Sequence, residues 1–383
     1  MTINKQQQNL KQPTGALQKN RLAYIDNIKA LVIILVIVVH VAVTYSGMGF
    51  WFYMEPKTLN SASHYFFSFI LMFNQAYILS LFFLIAAYFI PRSLDKKGAK
   101  KFIQDRLFRL GIPTIIFMFI VFPGVFKMGN PDINLFEFYK SGITSFGFLS
   151  WQGPMWFALT LLMFSLIYVP FNNLFIKLAN KCSFTINIKN VFGLIAIITI
   201  SAFTIRLFYP IGTLVVGLQF CFFAAYIFMF LIGILAYRKN ILEKMSYTIA
   251  KKWFITAVVF GISFWMILMS FGTRRLFAGG WNFSALGYAL WESFFCVAII
   301  IGLIGIFKKW FNTQNSLQKF LSDNAFGVYV FHPVVVVATS VLLKNINIYP
   351  ILKFIVVVLI TVPLSFIFAA MIRKVRILQK LFS

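Results

Sequence analysis

The sequence predicts an all-α, polytopic membrane bundle of about ten transmembrane helices with both termini in the cytoplasm. Of its 383 residues, 60% are apolar and 11% are charged, whereas soluble domains are about half apolar and about a quarter charged. The mean hydropathy is +0.85. A soluble fold of this size has too little interior to hide so much apolar surface. The composition therefore excludes a soluble globular protein.

Ten apolar stretches are long enough to cross the hydrocarbon core, which takes about 20 helical residues. In chain order they are 24–46, 64–90, 110–127, 151–176, 190–208, 211–237, 253–271, 281–307, 322–344 and 350–372. The third stretch is short, and Pro210 interrupts the apolar run between the fifth and sixth. An even number of crossings places both ends of the chain on one side of the membrane.

The basic residues predict which side that is. The chain has 35 Lys and Arg against 9 Asp and Glu, a net charge of +26. With both termini cytoplasmic, 26 basic residues lie on the cytoplasmic side and 7 on the other, as the positive-inside bias requires. In a soluble protein such an excess would suggest nucleic acid. Here the lipid bilayer accounts for it, and we expect no nucleic-acid partner.

The domain organisation is predicted to be simple. Residues 1–20 are rich in Gln, Lys and Asn, lack the apolar stretch of a signal peptide and are expected to form a disordered cytoplasmic tail. Residues 21–383 are expected to form a single membrane-embedded domain. The three cysteines, Cys182, Cys221 and Cys296, have neither a disulfide framework nor metal-site spacing, so no metal is expected.

Ionisable residues inside the spans are the candidates for chemistry, because they are expensive in lipid. Lys29 and His40 are eleven residues apart, which places them on one helical face, ~16 Å apart along the axis. The residues between them are apolar. This pattern indicates a path from a cytoplasmic anionic donor to a reacting imidazole. Alternatively, Lys29 extends to the interface and His40 is a hydrogen-bonded packing residue.

Other polar residues allow two interpretations each. Arg106 and Arg109 share a helical face and could bind phosphate bidentately, or they could be topology determinants that contact anionic lipid. Glu292, in the middle of the eighth span, needs a partner from another helix or must stay protonated. His332 precedes Pro333, which frees backbone groups, and it could act in function or in packing. Further ionisable groups in or beside the spans are Asp26, Arg206, Asp323 and Lys353.

Several stretches carry more specific patterns. They are Lys29 followed after ten residues by His40, the aromatic segment 81–89, the Arg-x-x-Arg-Leu-x-x-Pro pattern of 106–113, and the segments 154–157 and 322–332. Because it has these patterns in this order, the chain resembles the integral-membrane acyltransferase family 3, particularly its glucan-succinyltransferase-like and surface-polysaccharide O-acetyltransferase branches. Two departures stand out. Lys29 replaces the usual Arg, which keeps the charge but loses the bidentate fork, and Ala86-Ala87 replaces the usual Ser-Gly.

The resemblance implies an O-acyltransferase of the cell membrane. It would move an acetyl or succinyl group from cytoplasmic acyl-CoA, a co-substrate rather than a bound cofactor, to a glycan hydroxyl. His40 would act as general base or acyl carrier. Lys29 would be a catalytic residue and, with Arg106 and Arg109, would bind the donor. Glu292 or Asp26 would orient one of the reacting groups. The acceptor would be bound by Trp156, Tyr329 and His332.

Two other classes of protein fit parts of the sequence. A transporter or flippase would also line a path with polar residues, but transporters commonly have repeated halves with interrupted helices in matching positions, and this sequence has neither. A non-catalytic subunit of a polysaccharide export system is compatible with the sequence. Other polysaccharide-assembly proteins are candidate partners in either case.

Overall fold

The computed structural model describes residues 22–55, 59–181, 185–271 and 274–382. Within these ranges the regular elements are helices and no β-strand forms, which confirms the all-α prediction. Nine helical segments of the described chain are long and apolar enough to cross a membrane, which confirms a polytopic bundle. The predicted tail of residues 1–20 and Cys182 lie outside the described residues.

The helices are α1 (Ala23–Ser46), α2 (Ser61–Arg106), α3 (Ile112–Ile116), α4 (Phe122–Gly129), α5 (Leu135–Thr144), α6 (Trp156–Lys181), α7 (Ile188–Phe208), α8 (Phe223–Arg238), α9 (Ile241–Lys244), α10 (Tyr247–Phe271), α11 (Arg274–Ala278), α12 (Phe283–Trp310), α13 (Ser316–Leu342), α14 (Pro350–Lys374) and α15 (Arg376–Leu381). Short 3₁₀ turns precede α6 and α8. α1 lies at the centre of the bundle and packs against α2, α12, α13 and α14.

The second and third predicted spans form one helical segment, Ser61–Gly129, of 69 residues. A straight helix of that length would measure ~100 Å, about three times the hydrocarbon thickness. Gly98 has φ 72° and ψ 164°, which breaks the helix. The segment starts from the α1–α2 connection, and the Asn130 side chain beyond its end donates to the Phe52 carbonyl in that same connection. The segment therefore runs across and back, so nine apolar segments make ten crossings.

The returning half of this segment contains two π-helical turns, Leu107–Gly111 and Phe117–Val121. Each is followed by a proline, which cannot donate to the carbonyl four residues before it. The carbonyl left free by Pro123 belongs to Phe119, and it accepts a hydrogen bond of 2.5 Å from the Tyr139 hydroxyl. Each of the two wider turns thus lies just before a proline that removes a backbone donor.

Both ends of the described chain lie at one end of the bundle. Asn27, near the start of α1, donates to the carbonyls of Phe311 and Thr313 in the α12–α13 connection, at 2.8 and 2.9 Å. Arg373, at the end of α14, donates to Asn324 on α13 at 2.8 Å. We call this the inner end and the end with the α1–α2 connection the outer end. The location of both chain ends at the inner end agrees with an even number of crossings. That the inner end faces the cytoplasm is a prediction.

The sixth span begins later than predicted. Residues 209–219 are irregular, and the apolar segment runs from Phe220 to Arg238. Gly217 has φ 73°, and a Cβ there would lie 2.2 Å from the Nε2 atom of Gln152. Gln152 donates to the Val216 carbonyl at 2.6 Å. This close approach joins two outer connections and explains why the chain is not helical there.

Candidate active site

Two histidines from distant parts of the sequence meet inside the bundle. His40 on α1 stacks on His332 of α13, with ring centroids 5.1 Å apart and an interplanar angle of 23°. The indole of Trp51 also stacks on His40, with ring centroids 3.9 Å apart and an interplanar angle of 16°. His332 is buried and His40 partly exposed. His40 therefore points into the bundle rather than into lipid.

The position of His332 before Pro333 explains how its ring is held. Pro333 cannot donate to the Tyr329 carbonyl, four residues back. The Nδ1 atom of His332 lies 2.9 Å from that carbonyl and 3.1 Å from the carbonyl of Val328. Carbonyl oxygens only accept, so Nδ1 carries the hydrogen and the neutral ring has its lone pair at Nε2. The imidazole thus replaces the missing backbone donor and keeps a basic nitrogen.

One ring nitrogen of each histidine is not used in the fold. The Nε2 atom of His332 and the Nδ1 atom of His40 are buried and have no hydrogen-bond partner among the residues that the structure describes. Buried polar atoms are normally satisfied, and exceptions often belong to functional sites. An imidazole in this state can accept a proton or attack a carbonyl carbon.

The predicted acceptor-binding residues lie partly together. The Tyr329 hydroxyl donates to the Pro154 carbonyl at 2.5 Å and lies 3.4 Å from the Ala158 amide, so it joins α13 to the start of α6. Trp156, in the first turn of α6, packs against Tyr226 of α8, with the two rings tilted by 37° and their centroids 5.6 Å apart. Tyr329 thus lies one helical turn from His332, whereas Trp156 faces a different helix.

Lys29 and Asp26 lie at the inner end of α1 and contact each other. Their charged groups are 3.2 Å apart, and the Lys29 side chain is 35% exposed. Its ammonium also lies 5.0 Å from the centre of the Phe89 ring. Asp26 is fourteen residues from His40, ~21 Å along the helix. The structure therefore places Asp26 beside the lysine and not beside the histidine.

Arg106 and Arg109 have different surroundings. The Arg106 guanidinium lies 5.1 Å from the centre of the Phe102 ring and is partly buried, whereas Arg109 is exposed on the first π-helical turn. Because that turn is wider than an α-helical one, a spacing of three no longer gives a common face. None of the ion pairs between the described residues includes either guanidinium.

Glu292 has the partner from another helix that the sequence required. It forms a buried ion pair with Arg206 of α7, whose side chain is completely buried although the charge count put it on the outer side. The Arg206 Nε atom donates to the Cys221 carbonyl at 3.2 Å, and its guanidinium stacks over Tyr288 at 5.3 Å. The partner of Glu292 is Arg206 rather than either histidine.

Sequence reasoning missed two features beside the histidine pair, namely the stacking of Trp51 and the ion pair between Glu55 and Lys353. A lysine inside a span requires a partner, and the chain has only nine acidic residues, so Glu55 could have been proposed. Tyr53, in the same connection, has its pKa raised by burial and, to a smaller degree, by the Glu55 charge. Its phenol therefore stays neutral near pH 7.

The fold and the site together define a polytopic membrane protein with two stacked imidazoles inside the bundle that are available for chemistry. A family model described as an acyltransferase domain, that of acyltransferase family 3, matches residues 22–370 and so covers both histidines. The chain belongs to this family and is a multi-pass membrane acyltransferase. Neither the curated proteins nor the solved structures gave a match.

Proposed function

We propose that this acyltransferase moves an acetyl or succinyl group from cytoplasmic acyl-CoA to a hydroxyl of a cell-surface glycan, as in the glucan-succinyltransferase-like and polysaccharide O-acetyltransferase branches of the family. The observation that carries the proposal is the stacked pair of His40 and His332 with its unpartnered ring nitrogens. Acyl transfer to an alcohol needs a base near neutral pH, and imidazole is the side chain suited to it.

The reaction needs only one such base. A His40 nitrogen takes the proton of the glycan hydroxyl while the oxygen attacks the thioester carbonyl. The carbon–sulfur bond breaks, the ester forms, and the CoA thiolate leaves and takes up a proton. In the two-step form, His40 attacks the thioester first and carries the acyl group to the hydroxyl.

His332 supports His40 through its charge state. Two imidazolium ions at 5.1 Å would repel each other. The pair therefore favours at least one neutral ring, which is the state that a base must start from. The fixed Nδ1 hydrogen of His332 directs its lone pair at Nε2.

The donor and the acceptor are proposed to enter from opposite ends. Lys29, Arg106 and Arg109 lie toward the inner end and offer positive charge for the CoA phosphates. The histidine pair lies toward the outer end, below Trp51, where a glycan hydroxyl would arrive. Tyr329 and Trp156 offer aromatic surface nearby, and other polysaccharide-assembly proteins would supply the glycan.

Labelled acetyl-CoA and succinyl-CoA with purified protein and a glycan acceptor test the proposal. His40→Ala should lower the transfer rate by about 10²- to 10⁴-fold, because a general base contributes that much. His332→Asn, whose amide can still donate to the Tyr329 carbonyl, should lower the rate while the protein stays folded. His64→Ala, at the outer end of α2, is the matched control and should transfer normally. Transfer by His40→Ala within twofold of the wild type would contradict the proposal.

A further inference from the structure

A buried ion pair lies beside the candidate site and has no part in the proposed chemistry. The Lys353 side chain on α14 is 2% exposed. Its ammonium lies 2.9 and 2.7 Å from the two carboxylate oxygens of Glu55, 3.4 Å from the Lys344 carbonyl and 5.8 Å from the centre of the Tyr45 ring. A buried charge is costly unless it is paired and hydrogen-bonded. Lys353 therefore holds Glu55 firmly inside the bundle.

Glu55 belongs to the α1–α2 connection. Besides the hydrogen bond from Asn130 to the Phe52 carbonyl, two contacts of Glu55 itself fix this connection. The Glu55 amide donates to the Thr44 carbonyl of α1 at 2.9 Å, and its carboxylate pairs with Lys353 of α14. Residues 45–54 thus form a closed loop on the outer end of α1. The ion pair therefore fixes the end of the loop that follows Trp51.

Trp51 projects from this loop onto the candidate base. It is 6% exposed and covers one face of the His40 imidazole at 3.9 Å, with Phe52 edge-on against it at 5.0 Å. The indole restricts rotation of the imidazole and keeps water from that face. Its π-face also attracts the imidazolium that forms when His40 takes a proton.

The loop before Trp51 is intrinsically flexible. Gly47 and Gly49 have φ of 63° and 88°, conformations that glycine adopts readily and that leave the free chain many alternatives. The stacking of Trp51 therefore depends on the fixed points that follow it, which are the Phe52 carbonyl bound by Asn130 and the ion pair of Glu55.

We infer that Glu55 and Lys353 are positioning residues for the proposed acyl transfer, because their ion pair holds Trp51 flat against His40. The inference rests on the proposed function for its effect on rate. Its structural part, the fixing of Trp51 on His40, is independent of the reaction.

Kinetics of Lys353 variants test the effect on transfer. Lys353→Met should lower kcat by about 10- to 100-fold, since a misplacement of about 1 Å can cost that much. The KM for acyl-CoA should stay unchanged, because the proposed phosphate-binding residues lie toward the other end of the bundle. Lys353→Arg and the reversed pair E55K/K353E should recover most of kcat. An unchanged kcat in Lys353→Met would overturn the inference.

Chemical modification of the histidines tests the structural part without any assay of transfer. The chain has three histidines, and diethyl pyrocarbonate modification of each can be followed by mass spectrometry. Lys353→Met should raise the modification rate of His40 by about tenfold, a rough figure for loss of the stacked cover, while partly exposed His64 serves as internal reference. Trp51→Ala should give the same rise.

A double variant and the wild-type transfer assay distinguish failure of the positioning inference from failure of the proposed function. E55Q/K353M leaves no unpaired buried charge, so it separates loss of positioning from loss of folding. It should be as stable as the wild type and show the same rise at His40. A folded double variant with wild-type His40 reactivity overturns the inference. Absence of transfer by the wild type with every acyl-CoA would instead remove the proposed function and leave the modification result standing.

Discussion

Two prolines in this bundle each leave a backbone carbonyl without its usual donor, and nearby side chains supply a contact in its place. Pro333 and Pro123 each free a carbonyl in their own helix, and the His332 ring and the Tyr139 hydroxyl take these up. For His332 the compensation also sets the tautomer. The His332-Pro333 pair, which in the sequence indicates only freed backbone groups, therefore also orients the His332 imidazole.

The buried Arg206–Glu292 ion pair predicts an order of stability among variants of its two residues. Glu292→Leu should destabilise the protein by about 3–5 kcal/mol, because it leaves a buried guanidinium that cannot lose its proton. Arg206→Met should cost less, because the remaining carboxyl can become neutral by protonation. The double variant should be more stable than Glu292→Leu alone. The midpoint of unfolding in detergent measures this order, and a double variant less stable than both single variants would contradict it.

Among the helical elements, the segment Ser61–Gly129 departs most from expectation. Hydropathy located its two apolar halves correctly as separate spans, and it left open the conformation of most of the chain between them. The structure instead reverses direction at Gly98, with the chain otherwise helical on both sides. This reversal depends on the backbone conformation of one residue, Gly98, and an apolar pattern does not predict that conformation.

Gly98→Ala should destabilise this reversal. Its φ and ψ fall in a region that only glycine occupies readily, and strain there costs about 1–3 kcal/mol. A Cβ at Gly98 would meet no atom within 4 Å, so the effect would be backbone strain and not a clash. Gly124→Ala in α4 is the matched control, because its Cβ also meets nothing and its backbone is helical. Comparable thermal stability of the two variants would show that Gly98 is not the turning point.

At the scale of the whole molecule, the crossings and the charges agree with one orientation. Both ends of the described chain share the inner end, and the reversal at Gly98 restores an even number of crossings. The positive-inside count predicts that this end lies in the cytoplasm. The proposed function requires this orientation, because the proposed donor, acyl-CoA, would reach the basic residues from the cytoplasm and the proposed glycan acceptor would reach the histidine end from outside.

Cysteine labelling checks the orientation. Lys140→Cys and Lys101→Cys, each in a background with the native cysteines replaced, have side-chain positions that are 61% and 65% exposed. A membrane-impermeant maleimide added to intact cells should label residue 140 and not residue 101. Permeabilised cells should label both, which serves as the control. Labelling of residue 101 in intact cells would reverse the predicted topology.

The class of protein, the ten crossings, the predicted orientation and the family motifs could all be predicted from the amino-acid sequence. These properties follow from composition and from patterns along one chain, because the bilayer sorts residues by polarity and span length. The packing of the helices was needed to show which buried polar groups meet: His40 with His332, Arg206 with Glu292, and Lys353 with Glu55. Each pairing joins elements far apart in sequence, and it depends on how each helix is rotated and packed against its neighbours. Hydropathy is nearly uniform around these helices, so it carries almost no record of that rotation.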